Sequence, residues 1–154
     1  MIKRSTIETP YAAEEMFALV ADIERYPAFL PWCVALRIVS RRREANVELL
    51  SADMVVSYRM FRERFRSLVR LDAEQCRINV EYIDGPFRSL TNEWRFARTP
   101  NGGSIVDFAI AFEFRSLLLQ ATAHSVFERA FAKMSEAFVA RAAEVYGTAG
   151  RGEE

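Results

Sequence analysis

From Ser116 to Tyr146 apolar residues recur with a period near 3.6 without interruption, whereas residues 33–114 alternate with a period of two. The first pattern is a single helix of roughly 45 Å at 1.5 Å per residue, begun by Ser116, a good N-cap type, and stopped by Gly147. Its stripe of Phe127, Phe131, Met134, Phe138 and Val145, flanked by Ala123, Ala130 and Ala137, is too apolar to face water. Glu128, Arg129, Lys133, Glu136 and Arg141 lie elsewhere on its surface. Such a helix must be laid across a broad apolar surface, and the alternating segment before it is the one candidate to supply that surface.

That segment divides at turns. Arg43-Glu44-Ala45-Asn46, Asp72-Ala73-Glu74-Gln75, Asp84-Gly85-Pro86 and Pro100-Asn101-Gly102-Gly103 carry the polar, Gly or Pro residues that reversals need. A fifth turn at Tyr58-Arg59-Met60 is inferred only from a slip in the alternation. Each strand between them has one greasy face: Leu50, Ala52, Met54 and Val56; Phe61, Phe65, Val69 and Leu71; Cys76, Ile78, Val80 and Tyr82; Leu90, Trp94 and Phe96; Phe108, Ile110, Phe112 and Phe114. One covered face and one wet face is the signature of antiparallel hairpins. Upstream, Ile2 to Thr9 reads as a strand, Ala12 to Ala21 as a helix begun near Pro10, and Ile23 to Phe29 as a short helix ended by Pro31.

Composition sets bounds on this picture. A chain of 154 residues fits one domain able to remove roughly 70% of its extended surface from water. Hydrophobic residues at 51% and charged residues at 27% are those of a globular protein. Lys plus Arg and Asp plus Glu are both 21, so no overall field draws the chain to phosphate polymers, and any such contact must be local. Cys33 and Cys76 have neither zinc-site nor disulfide spacing and read as buried thiols of a reducing compartment. The start, Met1 to Ile7, moves directly into strand alternation, and no run of about 18 apolar residues occurs, so cytoplasmic residence is the expectation. Residues 1–146 form one domain on this reading, and the small, polar, Gly-rich 147–154 a disordered tail.

The order β-α-α-β6-α predicts an α+β helix-grip fold, a curved antiparallel seven-stranded sheet around the long C-terminal helix. A sheet bent around one helix can enclose volume that its own side chains do not fill.

Three stretches carry a resemblance. Tyr26-Pro27-Ala28-Phe29-Leu30-Pro31-Trp32-Cys33 resembles the Y-P-x-F-L-P-W-C segment of the coenzyme Q-binding, START-like (Bet v 1-like) proteins. That group includes bacterial ribosome-association toxins and borders the polyketide cyclase/dehydrase superfamily. Gly85-Pro86-Phe87 with Leu90, Asn92, Trp94 and Phe96 is similar to the family's G-P-F-x-x-L-x-N-x-W-x-F strand pair, and Phe112-Glu113-Phe114 with Ser116, Leu117 and Leu118 to its last strand and helix start. The resemblance implies a non-enzymatic carrier that holds ubiquinone or a similar prenylated lipid for the respiratory chain. Such a carrier would be a monomer, cytoplasmic or peripheral at the inner membrane, with ubiquinone as bound ligand rather than catalytic cofactor. An interaction protein that binds the large ribosomal subunit and blocks subunit association is the alternative, and a polyketide cyclase or dehydratase a weaker one.

Candidate ligand-binding residues follow from both lines. Tyr26, Phe29, Leu30, Pro31 and Trp32 form an aromatic, proline-bounded segment that could lid a cavity or simply plug the domain. Phe87, Leu90, Trp94, Phe112, Phe127 and Phe131 are placed on the wall, although any one of them would also serve as plain core. Asn92 shares the inward face of Leu90 and Trp94, so its amide needs a partner: a ligand carbonyl, a backbone group or a water. Arg62, Arg64, Arg66 and Arg70, with Arg41, Arg42 and Arg43, could meet RNA or lipid phosphates or form an ordinary solvated face. His124 beside Ser125 lacks nucleophile-elbow geometry, and Asp53, Glu63, Glu93, Asp107 and Glu113 show no convergence in sequence. No catalytic residue and no metal ligand is assigned.

Overall fold

The computed structural model describes residues 2–58 and 61–147. Its elements run β1 (Ile2–Thr9), α1 (Ala13–Ala21), a 3-10 turn (Ile23–Arg25), α2 (Tyr26–Phe29), β2 (Cys33–Glu44), β3 (Val47–Tyr58), β4 (Phe61–Asp72), β5 (Arg77–Asp84), β6 (Phe87–Arg98), β7 (Ser104–Phe114) and α3 (Leu117–Tyr146). All strand pairs are antiparallel, and the seven-stranded order is β1-β7-β6-β5-β4-β3-β2. The helices α1 and α2 therefore carry the chain from one edge of the sheet to the other. The helix-grip architecture expected from the element order is the one observed.

Local chemistry explains the boundaries. Pro10 lies ahead of the helix rather than in it; α1 begins after Ala12, whose backbone N–H donates to Glu15 Oε1 at 3.0 Å. Ser116 caps α3 by accepting from the Leu119 N–H at 3.0 Å, and Gly147 ends that helix at φ 87°. Gly85 is required where β5 turns into β6. Its φ is 145°, and a Cβ there would lie 2.6 Å from Phe65 Cβ. The edge strand β2 carries two register shifts and the exposed Arg41, Arg42 and Arg43, which discourage pairing with another chain.

Three expectations change. Val145 is half exposed, and the last turns of α3 are buried through Ala142 and Tyr146 instead, because the stripe drifts around a straight helix. Cys76 sits in the β4–β5 turn at φ 51° and is partly exposed, while Cys33 is buried. Tyr58 pairs with Phe61 across β3 and β4, but residues 59 and 60 of the inferred turn, like 148–154 of the inferred tail, lie outside the described residues.

The arginine strand points outward, but not freely. Asp53, only 7% exposed, accepts from Arg66 Nε at 2.6 Å and Arg66 Nη2 at 3.0 Å, and from Arg64 Nη2 at 3.0 Å; Arg37 lies 3.7 Å away. The Arg66 hydrogen bond, then Arg64, holds the Asp53 carboxyl well below its ordinary value of 3.8. A depressed folded-state pKa stabilises fully above that ordinary value, and the contribution is lost as pH falls below it. Asp53→Asn is thus expected to cost about 1 to 2 kcal/mol in urea unfolding near neutral pH, a charge-assisted bond tempered by exposed partners. The gap between variant and parent should narrow steadily below about pH 4; an equal gap at all pH values would refute the assignment.

Candidate functional site

The core divides into two aromatic groups at opposite ends of α3. Toward its C-terminal half, Phe138 lies edge-on to Tyr26, Phe29 and Trp94, and Trp94 stacks on Phe96 and tilts onto Phe108 at 4.4 Å. Toward its N-terminal half, Phe127 meets Phe61, Phe87, Phe112 and Phe114. Trp32, Met54 and Ile110 pack against both groups.

Between the groups the interior is hollow. A partly open cavity of about 170 Å³ is bounded by the concave face of the sheet, by α3 and by the segment leading from α2 into β2. Its cause is visible in the residues. Ala52 and Ser67 are directly paired on neighbouring central strands, and Ala130 is on the helix wall, so small side chains stand where a solid core would need large ones. Met54, Phe65, Val80 and Ile110 accordingly keep accessible surface, while Leu50, Val69, Ile78 and Phe108, also on the inner face, are buried.

Polar groups on the wall are few. Asn92 donates from Nδ2 to the Ala109 carbonyl at 2.9 Å and accepts on Oδ1 from Trp94 Nε1 at 3.0 Å, so the protein itself supplies its partners. Tyr26 donates its hydroxyl to the Val20 carbonyl at 2.5 Å, and burial raises its pKa far above the usual phenol value. Burial pushes the Cys33 thiol up to about 11, which keeps it protonated and a poor nucleophile. Ser67 and the indole N–H of Trp32 complete the set.

Of the residues expected to contact ligand, Tyr26, Leu30, Trp32, Leu90, Asn92, Trp94, Phe112, Phe127 and Phe131 are on this wall. Phe29, Pro31 and Phe87 are not. Phe87 is 1% exposed and sealed among rings. Phe29 lies beneath the Arg141 guanidinium, 5.3 Å from its carbon, and Pro31 is exposed to solvent. Sequence reasoning passed over Met54, Phe65, Ser67, Ile110, Ala130 and Met134, which also line the space. Their inward parity was legible; their position opposite the unfilled middle of the helix was not.

Other candidates are dispersed. His124 is on the outside of α3, its Nε2 3.6 Å from Glu128 Oε1. Asp107 accepts from Thr6 and Glu93 from Arg95 at the surface, far in chemistry from an acid/base pair. Among the described residues no group of three or more His, Cys, Asp or Glu could hold a metal.

A long helix gripped by a seven-stranded antiparallel sheet, with an apolar hollow between them, defines a START/Bet v 1-like domain. The chain belongs to the family described as polyketide cyclase/dehydrase and lipid transport, whose profile matches residues 9–139. It is 34% identical to the ribosome association toxin RatA of Escherichia coli over 141 residues, 92% of this chain and 86% of that one. It is 28% identical, over 89% of its length and 56% of the relative's, to coenzyme Q-binding protein COQ10 homolog B, mitochondrial, of Xenopus laevis. Among solved structures, an 18 kDa protein of Caulobacter crescentus aligns with a TM-score of 0.80 at 34% identity, covering 96% of this chain and 99% of that one. Among the described residues no helix is long and apolar enough to cross a membrane.

Proposed function

We propose that this chain binds a ring-bearing apolar molecule, ubiquinone or a related prenylated lipid, and carries it without transforming it. The observation that carries the reading is the 170 Å³ hollow, lined by aliphatic and aromatic side chains whose space the protein leaves unfilled. Apolar hollows of about this size, roughly 150 Å³, take up a single benzene-sized ring. A quinone head fits this scale and a long prenyl tail does not, so the tail must leave the cavity.

The tail's exit is assigned to the flank away from β1. On the β1 side α3 is tied down by Ser5–Ser135 at 3.1 Å and Lys3–Glu128 at 2.5 Å. On the other side it is held by Arg129 donating to the Tyr58 hydroxyl at 2.9 Å and by Arg141 over Phe29. Between those two contacts the wall residues Ala130 and Met134, and Trp32 and Leu36 of the segment entering β2, are all half-buried. A tail emerging there would lie against a membrane surface, which fits a peripheral carrier. The relative named as coenzyme Q-binding supports the ligand class. The wall gives catalysis little to work with, since the Tyr26 hydroxyl is committed to the Val20 carbonyl and burial keeps the Cys33 thiol a poor nucleophile.

Organic extraction of protein purified from its own host, followed by mass spectrometry, should recover a prenylated quinone in near-equimolar amount. No quinone in the extract, together with unquenched Trp32 and Trp94 fluorescence on quinone titration, would overturn the proposal.

A second reading, association with the large ribosomal subunit, draws on the relatives named as ribosome association toxins. The feature that fits it is the outer face of β4. There Arg62 and Arg70 are exposed with no ion-pair partner among the described residues, beside Arg37 and Arg64, which share the single charge of Asp53. Co-sedimentation with large subunits at low salt, reduced by combining Arg62→Glu with Arg70→Glu, is its expected outcome. Failure to travel with the subunits removes it.

A further inference from the structure

We infer that Ser67 is the specificity-determining hydrogen-bond donor of the cavity, directed at a carbonyl oxygen on the bound ring. The inference rests on the carrier reading above and assigns the end of the ligand that enters first. Ser67 is in the middle of β4 with its side chain on the concave face, paired with Ala52 on β3 and Tyr82 on β5. The residue is only 6% exposed and belongs to the cavity wall.

Among the described residues its hydroxyl is uncommitted, and so is the indole N–H of Trp32, a half-buried residue at the proposed exit rather than deep on the sheet. Asn92 is occupied by Ala109 and Trp94, Tyr26 by Val20, and the Cys33 thiol by the Ala35 carbonyl at 3.8 Å. Among the described residues no hydrogen bond reaches Ser67 Oγ, and no side-chain oxygen or nitrogen sealed from solvent lacks a partner. The surface that Ser67 retains is therefore at its hydroxyl, open to the hollow. A buried hydroxyl without a partner is costly, and most such groups are satisfied by protein or ordered water. Here a guest oxygen can fill that role.

The neighbours favour a flat guest that presents an acceptor at this point. Ala52 beside Ser67 leaves room for an in-plane oxygen, while Phe65 and Val69, next on the same face of β4, offer apolar contact to a ring. A hydroxyl can donate to a quinone carbonyl and, after rotation, accept from the hydroquinone O–H. One residue could thus hold both redox forms with the polar head inward and the tail outward, without taking part in electron transfer. A hydrocarbon of the same shape gains nothing at Ser67.

Duroquinone and durene test this directly. Both are tetramethylated six-membered rings, and they differ in the two carbonyl oxygens; duroquinone has no unsubstituted ring carbon to react with the Cys33 thiol. Binding of each is measured by heteronuclear NMR titration of the full chain and of Ser67→Ala. Duroquinone affinity should fall about five- to tenfold in the variant, the worth of one hydrogen bond, while durene affinity stays within about twofold. Equal changes for the two rings, or unchanged duroquinone binding, would refute the role of Ser67 and leave the carrier reading standing. Binding of neither ring to the parent protein would remove both.

Discussion

Phe87→Ala is expected to destabilise the fold by about 3 to 5 kcal/mol, the range for removing a buried phenyl group. The ring is 1% exposed and has Phe65, Tyr82, Phe112, Phe114 and Phe127 within 6.1 Å, stacked on Phe114 and edge-on to the others. Its backbone is held as tightly. The Phe87 N–H donates to the Tyr82 hydroxyl at 3.1 Å, and the Phe87 carbonyl accepts from Arg115 Nε at 3.2 Å. Domains of this kind are stable by only about 5 to 15 kcal/mol, so the melting temperature should drop by roughly 10 °C or more. The milder Phe87→Leu should cost less and leave ligand affinity unchanged, because this ring is not on the cavity wall. Calorimetry and ligand titration on the same two variants check both halves. Loss of binding in a fully folded Phe87→Leu protein would return Phe87 to the site.

Ala130→Leu should act in the opposite sense. Ala130 is on the helix wall of the hollow, between Phe127 and Met134, and leucine is only slightly poorer than alanine as a helix former. The added carbons would occupy a large part of the 170 Å³ space and meet Met54 and Ile110 across it. Filling a cavity commonly stabilises by about 0.5 to 2 kcal/mol, which corresponds here to a rise of a few degrees in melting temperature. Ligand affinity should fall by at least about tenfold, since ring and leucine cannot share the volume. A variant that gains stability and loses ligand would separate hollow from core. One that loses stability instead would show the position to be already packed.

Much of this arrangement is legible in the sequence. Strand alternation and the sustained 3.6 period identify β3 to β7 and α3, whose inner faces are buried, whereas the mostly exposed edge strand β2 shows no such stripe and the short helix expected over 23–29 divides into a 3-10 turn and α2. Ser116 and Gly147 mark the ends of α3 by chemistry that capping demands. Alternation, however, reports only which face a residue takes, never how far along the strand the hollow extends. Phe87, seven residues before Trp94, would face outward by strict alternation; the register shift between Phe87 and Ser89 turns it inward among the rings at the start of β6, while Trp94 borders the cavity. Ser67 shares the parity of Phe65 and Val69, but nothing within β4 marks it as bordering unfilled space. The pairing of Ser67 with Ala52 depends on register between two strands, and no pattern within either strand encodes it. Likewise a solvated arginine face is readable from alternation, but which acid binds it is not: Asp53 on the neighbouring strand holds Arg64 and Arg66, a pairing set by the register of β3 with β4.

The account stands on an empty apolar space beneath the middle of α3, and xenon probes such spaces without needing the natural ligand. Crystals of the protein held under xenon pressure should show a bound atom among Ala52, Met54, Ile110 and Ala130, and the same experiment on Ala130→Leu should show it lost or displaced. Side chains closed over that volume, with no xenon admitted, would contradict the account at its root.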